Sequence, residues 1–270
     1  MPSNEPLSLI ILAGGLGTRF GGPKQLTPIG PNGECMIEIS VSQARSAGVE
    51  SVVILTREVL APRIESELLP RWEGKAPQIV IQPEMLGTAH AVWCCRHAVK
   101  EKCLVINGDD HYGAETFQIG AKLLRDCDDN EGVLIPFRLD ATLSEHGGVN
   151  RGWVRGEGGY VTGLSEVTNI QRQGARILGN EVGVGEVELP PDTPVSMNFY
   201  GFPPTFFDYL DEHLPNHFSE NSETEAFLPE FVGQAIQQKK LRMRYKLSSA
   251  EWFGMTYAED LAYVREKLSR

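Results

Sequence analysis

The apolar positions in the first half of the chain alternate between two periods. Residues 8–13 form a continuous apolar run closed by glycines, the pattern of a strand buried on both faces of a parallel sheet. A long loop follows, to about Gly33. Over 36–48 the spacing turns helical, with Ile37, Val41, Ala44 and Ala47 on one face and Gly48 placed to end the helix. The exchange then repeats, predicting strands over 51–56, 78–82, 103–107 and 132–138 and helices over 58–69, 88–99 and 114–127. Strands alternating with helices make a doubly wound α/β sheet with right-handed crossovers.

The second half is richer in strands. Residues 153–155 and 160–166 flank Gly156, Glu157, Gly158 and Gly159, which predicts a hairpin. A strand over 195–201, helices over 204–213 and 223–239, and a closing helix over 257–268 complete the reading. Across 241–247, Leu241, Met243, Tyr245 and Leu247 share one face, and Arg242, Arg244 and Lys246 the other. The basic face reads as a solvated edge strand guarded by charge. Its alternative is a clamp on a ligand phosphate, a role for which Asn150 and Arg151 are a second candidate. Without a linker or internal repeat, the expectation is one domain, 1–270. It is a Rossmann-like doubly wound mixed sheet whose β-rich second half completes the sheet and covers one side of the site.

Composition adds exclusions. The 270 residues are 41% hydrophobic and 23% charged, as in globular proteins, and Gly and Pro stay below the level of low-complexity chains. A net charge of −11 repels long polyanions and argues against a nucleic-acid partner. That charge is uneven: between Glu5 and Glu34 there is no acidic residue, and the charges inside the gap are Arg19 and Lys24. Of five cysteines, Cys94 and Cys95 are adjacent and Cys35, Cys103 and Cys127 stand alone, so no C-x-x-C framework exists and reduced thiols are expected. Residues 1–7 carry Glu5 and no Lys or Arg, unlike a signal peptide, and no apolar run approaches the roughly 18 residues of a membrane span. A cytoplasmic protein without a membrane partner is expected.

The acid-free gap holds Leu12, Ala13, Gly14, Gly15, Leu16, Gly17, Thr18, Arg19, Phe20, Gly21, Gly22, Pro23 and Lys24. Glycines just past a first strand let backbone N–H groups approach a phosphate chain, and Arg and Lys add charge-assisted hydrogen bonds. A polyphosphate site is the physical reading. A dinucleotide fingerprint fails at its last glycine position, and a P-loop fails because Pro23 precedes Lys24 and Gln25 follows it. Further along, Val105-Ile106-Asn107-Gly108-Asp109-Asp110 puts carboxylates just past a strand's carboxyl end, where open α/β sheets bind ligands and where hard oxygens suit Mg²⁺.

Gly15-Leu16-Gly17-Thr18-Arg19 followed by Pro23-Lys24, after Leu12-Ala13-Gly14, resembles the first motif of the sugar-1-phosphate nucleotidylyltransferases, or NDP-sugar pyrophosphorylases. Gln82-Pro83-Glu84-Met85-Leu86-Gly87-Thr88 resembles their second nucleotide-binding segment. The resemblance implies a GT-A-like nucleotidyltransferase fold, with an NTP-binding half over 1–138 and an acceptor-binding half over 139–270. It implies that Leu12, Ala13, Gly14, Gly15, Gly17 and Thr18 wrap the NTP, that Arg19 and Lys24 are catalytic, and that Gln82, Gly87 and Thr88 meet the base, UTP or dTTP being favoured. Asp109 is implied as the Mg²⁺ ligand, with Asp110 beside it either a second ligand or a turn residue. Gly147-Gly148 and Val161-Thr162-Gly163-Leu164-Ser165-Glu166 resemble the sugar-binding stretch, which makes Gly148, Glu166 and Asn198 acceptor contacts. Relatives often follow that Glu with Lys, where this chain has Val167. Many also carry a second metal-binding Asp or Asn that would fall near 252–255, where this chain has Gly254 and no carboxylate.

The expected reaction is transfer of NMP from an NTP to a sugar 1-phosphate with release of pyrophosphate. Alternatives are an alditol phosphate, phosphocholine or a molybdopterin-type phosphate as acceptor, or a regulatory module that binds nucleotide or sugar phosphate without turnover. Hexapeptide repeats of a β-helical acyltransferase are absent from these residues, and a homo-oligomer is left open.

Overall fold

The computed structural model describes residues 5–17, 20–144, 147–220, 225–255 and 258–269. The first half runs β1 (Ser8–Leu12), α1 (Met36–Ser46), β2 (Ser51–Thr56), α2 (Ala61–Arg63), β3 (Gln78–Ile81), α3 (Thr88–Cys94) and β4 (Cys103–Asn107). It continues through β5 (Asp110–His111), α4 (Ala114–Arg125), β6 (Glu131–Leu134) and β7 (Phe137–Arg138). The second half adds β8 (Val149–Glu157), β9 (Tyr160–Gln173), β10 (Arg176–Glu181), β11 (Gly185–Glu188), β12 (Pro194–Ser196) and β13 (Tyr200–Phe202). The last elements are α5 (Thr205–Glu220), α6 (Leu228–Gln237), β14 (Arg242–Tyr245), β15 (Phe253–Gly254) and α7 (Asp260–Leu268).

One mixed sheet threads both halves in the order β3-β2-β1-β4-β13-β6-β14-β9-β8-β12-β7. The pairs β3-β2, β2-β1 and β1-β4 are parallel, and β13 enters antiparallel to both β4 and β6. The period of two divides each central strand between two cores. Leu9, Ile11, Val52, Ile54, Leu104 and Ile106 share one with residues of α1 and α4, whereas Ile10, Val53, Leu55, Cys103 and Val105 share the other with α3, α5 and α6. Burial on both faces explains the unbroken apolar runs of these strands. The five cysteines are free, as expected, and four of them are buried.

Differences from the sequence reading have local causes. The helix expected over 58–69 is α2, a π-helical segment Ile64–Leu68 and a 3-10 turn Leu69–Arg71; Pro62 and Pro70 lack the N–H that a continuous α-helix requires. The strand expected over 132–138 breaks at Pro136 into β6 and β7, and that over 195–201 breaks at Asn198, whose φ is +62°. The helix expected over 223–239 is α6, starting at Leu228; residues 221–224 lie outside the described residues, as does Tyr257 before α7. The hairpin forms as read, turning on Gly158 and Gly159, both at positive φ as a two-residue type I′ turn requires.

Strand β14 is not an edge strand, which corrects both readings of its basic face. It lies between β6 and β9, and Arg242 and Arg244 both pair with Glu131, a carboxylate only 1% exposed. Tyr160 donates to the same carboxylate at 3.1 Å, and the Asp128 amide at 3.3 Å. The cations answer a buried charge of the chain itself. Glu131→Leu should therefore destabilise the fold by about 3 kcal/mol, because it strands Arg244, and adding Arg244→Met should recover much of that loss. Urea unfolding of the single and double variants checks this.

Candidate active site

Strand β1 sits where the strand order reverses: the chain leaves it towards β2 and β3, then returns to β4 on its other side. Such a switch point leaves a crevice beyond the carboxyl ends of the strands. Here the loops after β1 and β4 run side by side, joined by the Gly108 amide donating to the Leu12 carbonyl at 2.9 Å, while the Ala13 amide donates to Leu55 at 2.8 Å. A buried Gln25 fixes the loop after β1, its Nε2 donating to the carbonyls of Ala13 at 3.0 Å and Gly15 at 3.1 Å. Gly17 has φ +61°, and a Cβ there would stand 1.9 Å from the Gly22 carbonyl oxygen. Its own carbonyl accepts the amides of Phe20, Gly21 and Gly22, so those three are already taken by the loop. Thr18 and Arg19 lie outside the described residues.

Gln25 belongs to the 3-10 turn Lys24–Leu26, which aims Lys24 across the crevice. Its ammonium forms an ion pair with Asp109 and donates to the Met255 carbonyl at 2.6 Å, while the Met255 amide donates to the Asp109 carbonyl at 3.3 Å. Asp110, on β5, is buried and faces Gly254 of β15. A Cβ at 254 would stand 2.5 Å from Asp110 Oδ1, so glycine is what leaves room for that carboxylate. Asn107 Nδ2 donates to Asp110 Oδ2 at 2.8 Å, the Tyr112 hydroxyl to the same oxygen at 3.3 Å, and Asn198 Nδ2 to Asn107 Oδ1 at 3.4 Å. Burial and, next, the charge of Asp109 push the Asp110 carboxyl well above the usual range. Two neighbouring carboxylates, one of them disfavoured as an anion, are a donor set that suits a hard divalent cation. Among the described residues no group of three or more His, Cys, Asp or Glu could hold a metal, so phosphate or water oxygens would supply the remaining ligands.

Gln82 directly follows β3 and its side chain is buried. Its Nε2 donates to the Gly87 carbonyl and to His90 Nδ1, both at 3.2 Å, which leaves Oε1, on the side of Gly14, as an acceptor without a donor among the described residues. A cavity of about 370 Å³ opens beside it, lined by Arg57, Glu58, Val59, Gln82 and Pro83. Gly87 and Thr88 have duties within the chain: a Cβ on Gly87 would stand 2.4 Å from the Ala226 carbonyl oxygen, and Thr88 Oγ1 accepts the Leu228 amide at the start of α6 at 2.8 Å.

The acceptor residues divide. Asn198 joins the carboxylate network through Asn107, and the partner of Glu166 across the β8-β9 ladder is Gly152. Burial pushes the Glu166 carboxyl up, opposed by the Arg151 charge. Gly148 stands apart, before the ladder's first pair of Val149 with Ile170, against Asn169 and Gln171. Sequence reading left out Arg57, Asn107, Tyr112 and Trp252. Asn107 was within reach, because it shares the motif that carries Asp109, but nothing local marks Arg57 or Trp252.

The Nucleotidyl transferase family model matches residues 8–267. The chain belongs to the nucleotidyl transferase family. Relatives of this nucleotidyl transferase include the bifunctional protein GlmU of Thermotoga sp. (strain RQ2), 26% identical over 263 residues, which cover 96% of this chain and 51% of the relative. The GlmU of Bdellovibrio bacteriovorus is 26% identical over 246 residues, 86% of this chain and 45% of the relative. The chain thus spans about half the length of the curated relatives it matches. In fold it is similar to the inositol-1-phosphate CTP transferase from T. maritima, with TM-score 0.71 and 15% identity over 100% of this chain and 97% of that one. It is likewise similar to a UDP-glucose pyrophosphorylase complexed with UDP-glucose, with TM-score 0.66 and 18% identity over 98% of each chain. No helix among the described residues is long and apolar enough to cross a membrane.

His90 carries a pH prediction. Burial holds its pKa below 6.5, so the unfolded chain takes up that proton first as pH falls. The stability tied to neutral His90 is full above about pH 6.5 and falls on acidification below it. His90→Gln should flatten the difference between urea unfolding curves at pH 7.5 and 5.5. His111, lowered in the same sense by burial, keeps part of the dependence, and the Asp110 carboxyl, raised by burial to about 7, opposes it.

Proposed function

We propose that this chain transfers a nucleoside monophosphate from an NTP to a phosphorylated small acceptor, a sugar 1-phosphate by preference, and releases pyrophosphate. The observation that carries the reading is the meeting of Lys24, Asp109 and Asp110 at the mouth of the β1-β4 switch point, beside the glycine loop. The acceptor's phosphate oxygen is already an anion, so no general base is required. Its lone pair forms the new bond to the α-phosphorus while the bond to the bridging oxygen breaks, and pyrophosphate carries that electron pair away. Lys24 neutralises charge on the phosphates as it builds towards the leaving group, and the glycine loop holds the chain in line. Asp109 and Asp110 are the residues that would hold Mg²⁺, which when bound shields the phosphates' negative charge. Asn198 and Glu166 would meet the acceptor's hydroxyls.

Base preference follows from the Gln82 amide. With Nε2 engaged twice, Oε1 offers an acceptor, which suits the N3–H of uracil or thymine and repels the N3 lone pair of cytosine. UTP or dTTP is therefore the proposed donor. Fold likeness to a CTP-using and a UDP-glucose enzyme does not choose between acceptors.

Lys24→Ala and Asp109→Ala should each lower pyrophosphate release from UTP over a panel of sugar phosphates at least 100-fold without loss of fold. Wild-type rates in both variants would overturn the reading, as would thermal stabilisation by UTP with no pyrophosphate release from any acceptor. Gln82→Leu should reduce the thermal shift produced by UTP and leave that of CTP nearly unchanged.

A further inference from the structure

Arg151 lies on β8 opposite Val167, next to the Gly152-Glu166 pair. Its guanidinium is part-buried, yet its fixed partners are neutral. Nε donates to Thr142 Oγ1 at 3.3 Å, Nη2 to the Thr142 carbonyl at 2.5 Å and Nη1 to the Asn150 carbonyl at 2.8 Å, and the group lies 5.3 Å from the centre of the Trp252 ring. Among the described residues it makes no ion pair. Within that same set, two of its five N–H donors have no acceptor. Asp110 and Glu166 are within its electrostatic reach without touching it, and burial lowers its pKa to about 10. The neighbouring Trp252 has a buried indole N–H with no acceptor. Trp252 directly precedes β15, which pairs with the strand carrying Asp110. Among the described residues, two neighbouring side chains from separate elements, Arg151 and Trp252, thus keep donors without acceptors, and Asp110 lies within electrostatic reach of the guanidinium.

We propose that Arg151, backed by the Trp252 ring, supplies the fixed cation that seats the acceptor's phosphate. This rests on the transfer reading above. A nucleophilic phosphate must lie close to Asp109 and Asp110 to attack in line, and it needs a fixed cation on the side away from Lys24. The planar guanidinium has a fork that fits two phosphate oxygens, already held in place by Thr142 and Asn150. The aromatic face beneath it limits its freedom to turn towards the carboxylates.

The test is a fluorescence titration with inorganic phosphate in Mg²⁺ buffer. The NTP site is first filled with α,β-methylene-UTP, its binding verified by thermal shift, and the Trp252→Phe protein identifies the responding tryptophan. The seat predicts saturable quenching in the wild type that Trp252→Phe lacks. Phosphate affinity should fall at least tenfold in Arg151→Met and be partly restored in Arg151→Lys, while the nucleotide's thermal shift changes less than twofold. No phosphate response in the wild type, unchanged affinity in Arg151→Met, or equal losses of phosphate and nucleotide binding would overturn the seat. Because the titration needs no turnover, its failure is distinct from that of the transfer reading, which falls if no acceptor releases pyrophosphate.

Discussion

Two carboxylates at the end of β4 cannot both be comfortable anions. At an effective dielectric near 20, like charges about 4 Å apart repel by roughly 4 kcal/mol, so such a pair either keeps a proton or recruits a cation. Lys24 answers Asp109 directly, and in doing so binds together the loop after β1, the end of β4 and the segment around Met255, which are far apart in sequence. Asp110 is left inside, held by Asn107 and Tyr112 and enclosed by a strand that must be glycine at 254. The arrangement favours any ligand that brings positive charge to Asp110 or negative charge to Lys24. A polyphosphate carrying a divalent ion brings both.

The fold keeps that pair in register. Because β1 and β4 are neighbours with Leu12 opposite Asn107, the glycine loop and the carboxylates must emerge at the same height. The two cores lock this register, since a one-residue slip of β1 would exchange its Leu9 and Ile11 side for its Ile10 side. On the other flank, Asn198 sits at a positive φ between β12 and β13, which turns its amide towards Asn107 where a continuous strand would have carried the residue past. The break that sequence periodicity did not anticipate is the one that brings an acceptor candidate to the site.

What could be read in the sequence follows from the range of the forces involved. The parallel strands were legible because burial on both faces writes itself into contiguous residues, and the glycine loop, Asp109 and Gln82 because each lies within a compact motif. The basic face of β14 was not, because its meaning depends on Glu131 across a non-local pairing with β6. Gly87 is marked in sequence by its motif, but that a side chain there would strike Ala226 depends on a segment far along the chain. The resemblance puts Gly148 and Glu166 in one sugar-binding stretch, and it is the ladder's register that sets Gly152 opposite Glu166. Local composition cannot express a register.

The same distinction between local and global governs charge. A net charge of −11 disfavours an extended polyanion, whose many phosphates would sample the whole surface field within a Debye length of about 8–10 Å. A small phosphate ligand in the crevice samples only its walls, where Lys24 and Arg151 stand near the carboxylates and Arg57 lines the cavity beside Gln82. Part-burial weakens screening there, so these few fixed cations outweigh a distant acidic surface. Overall acidity and recognition of a phosphate are compatible because the distances differ.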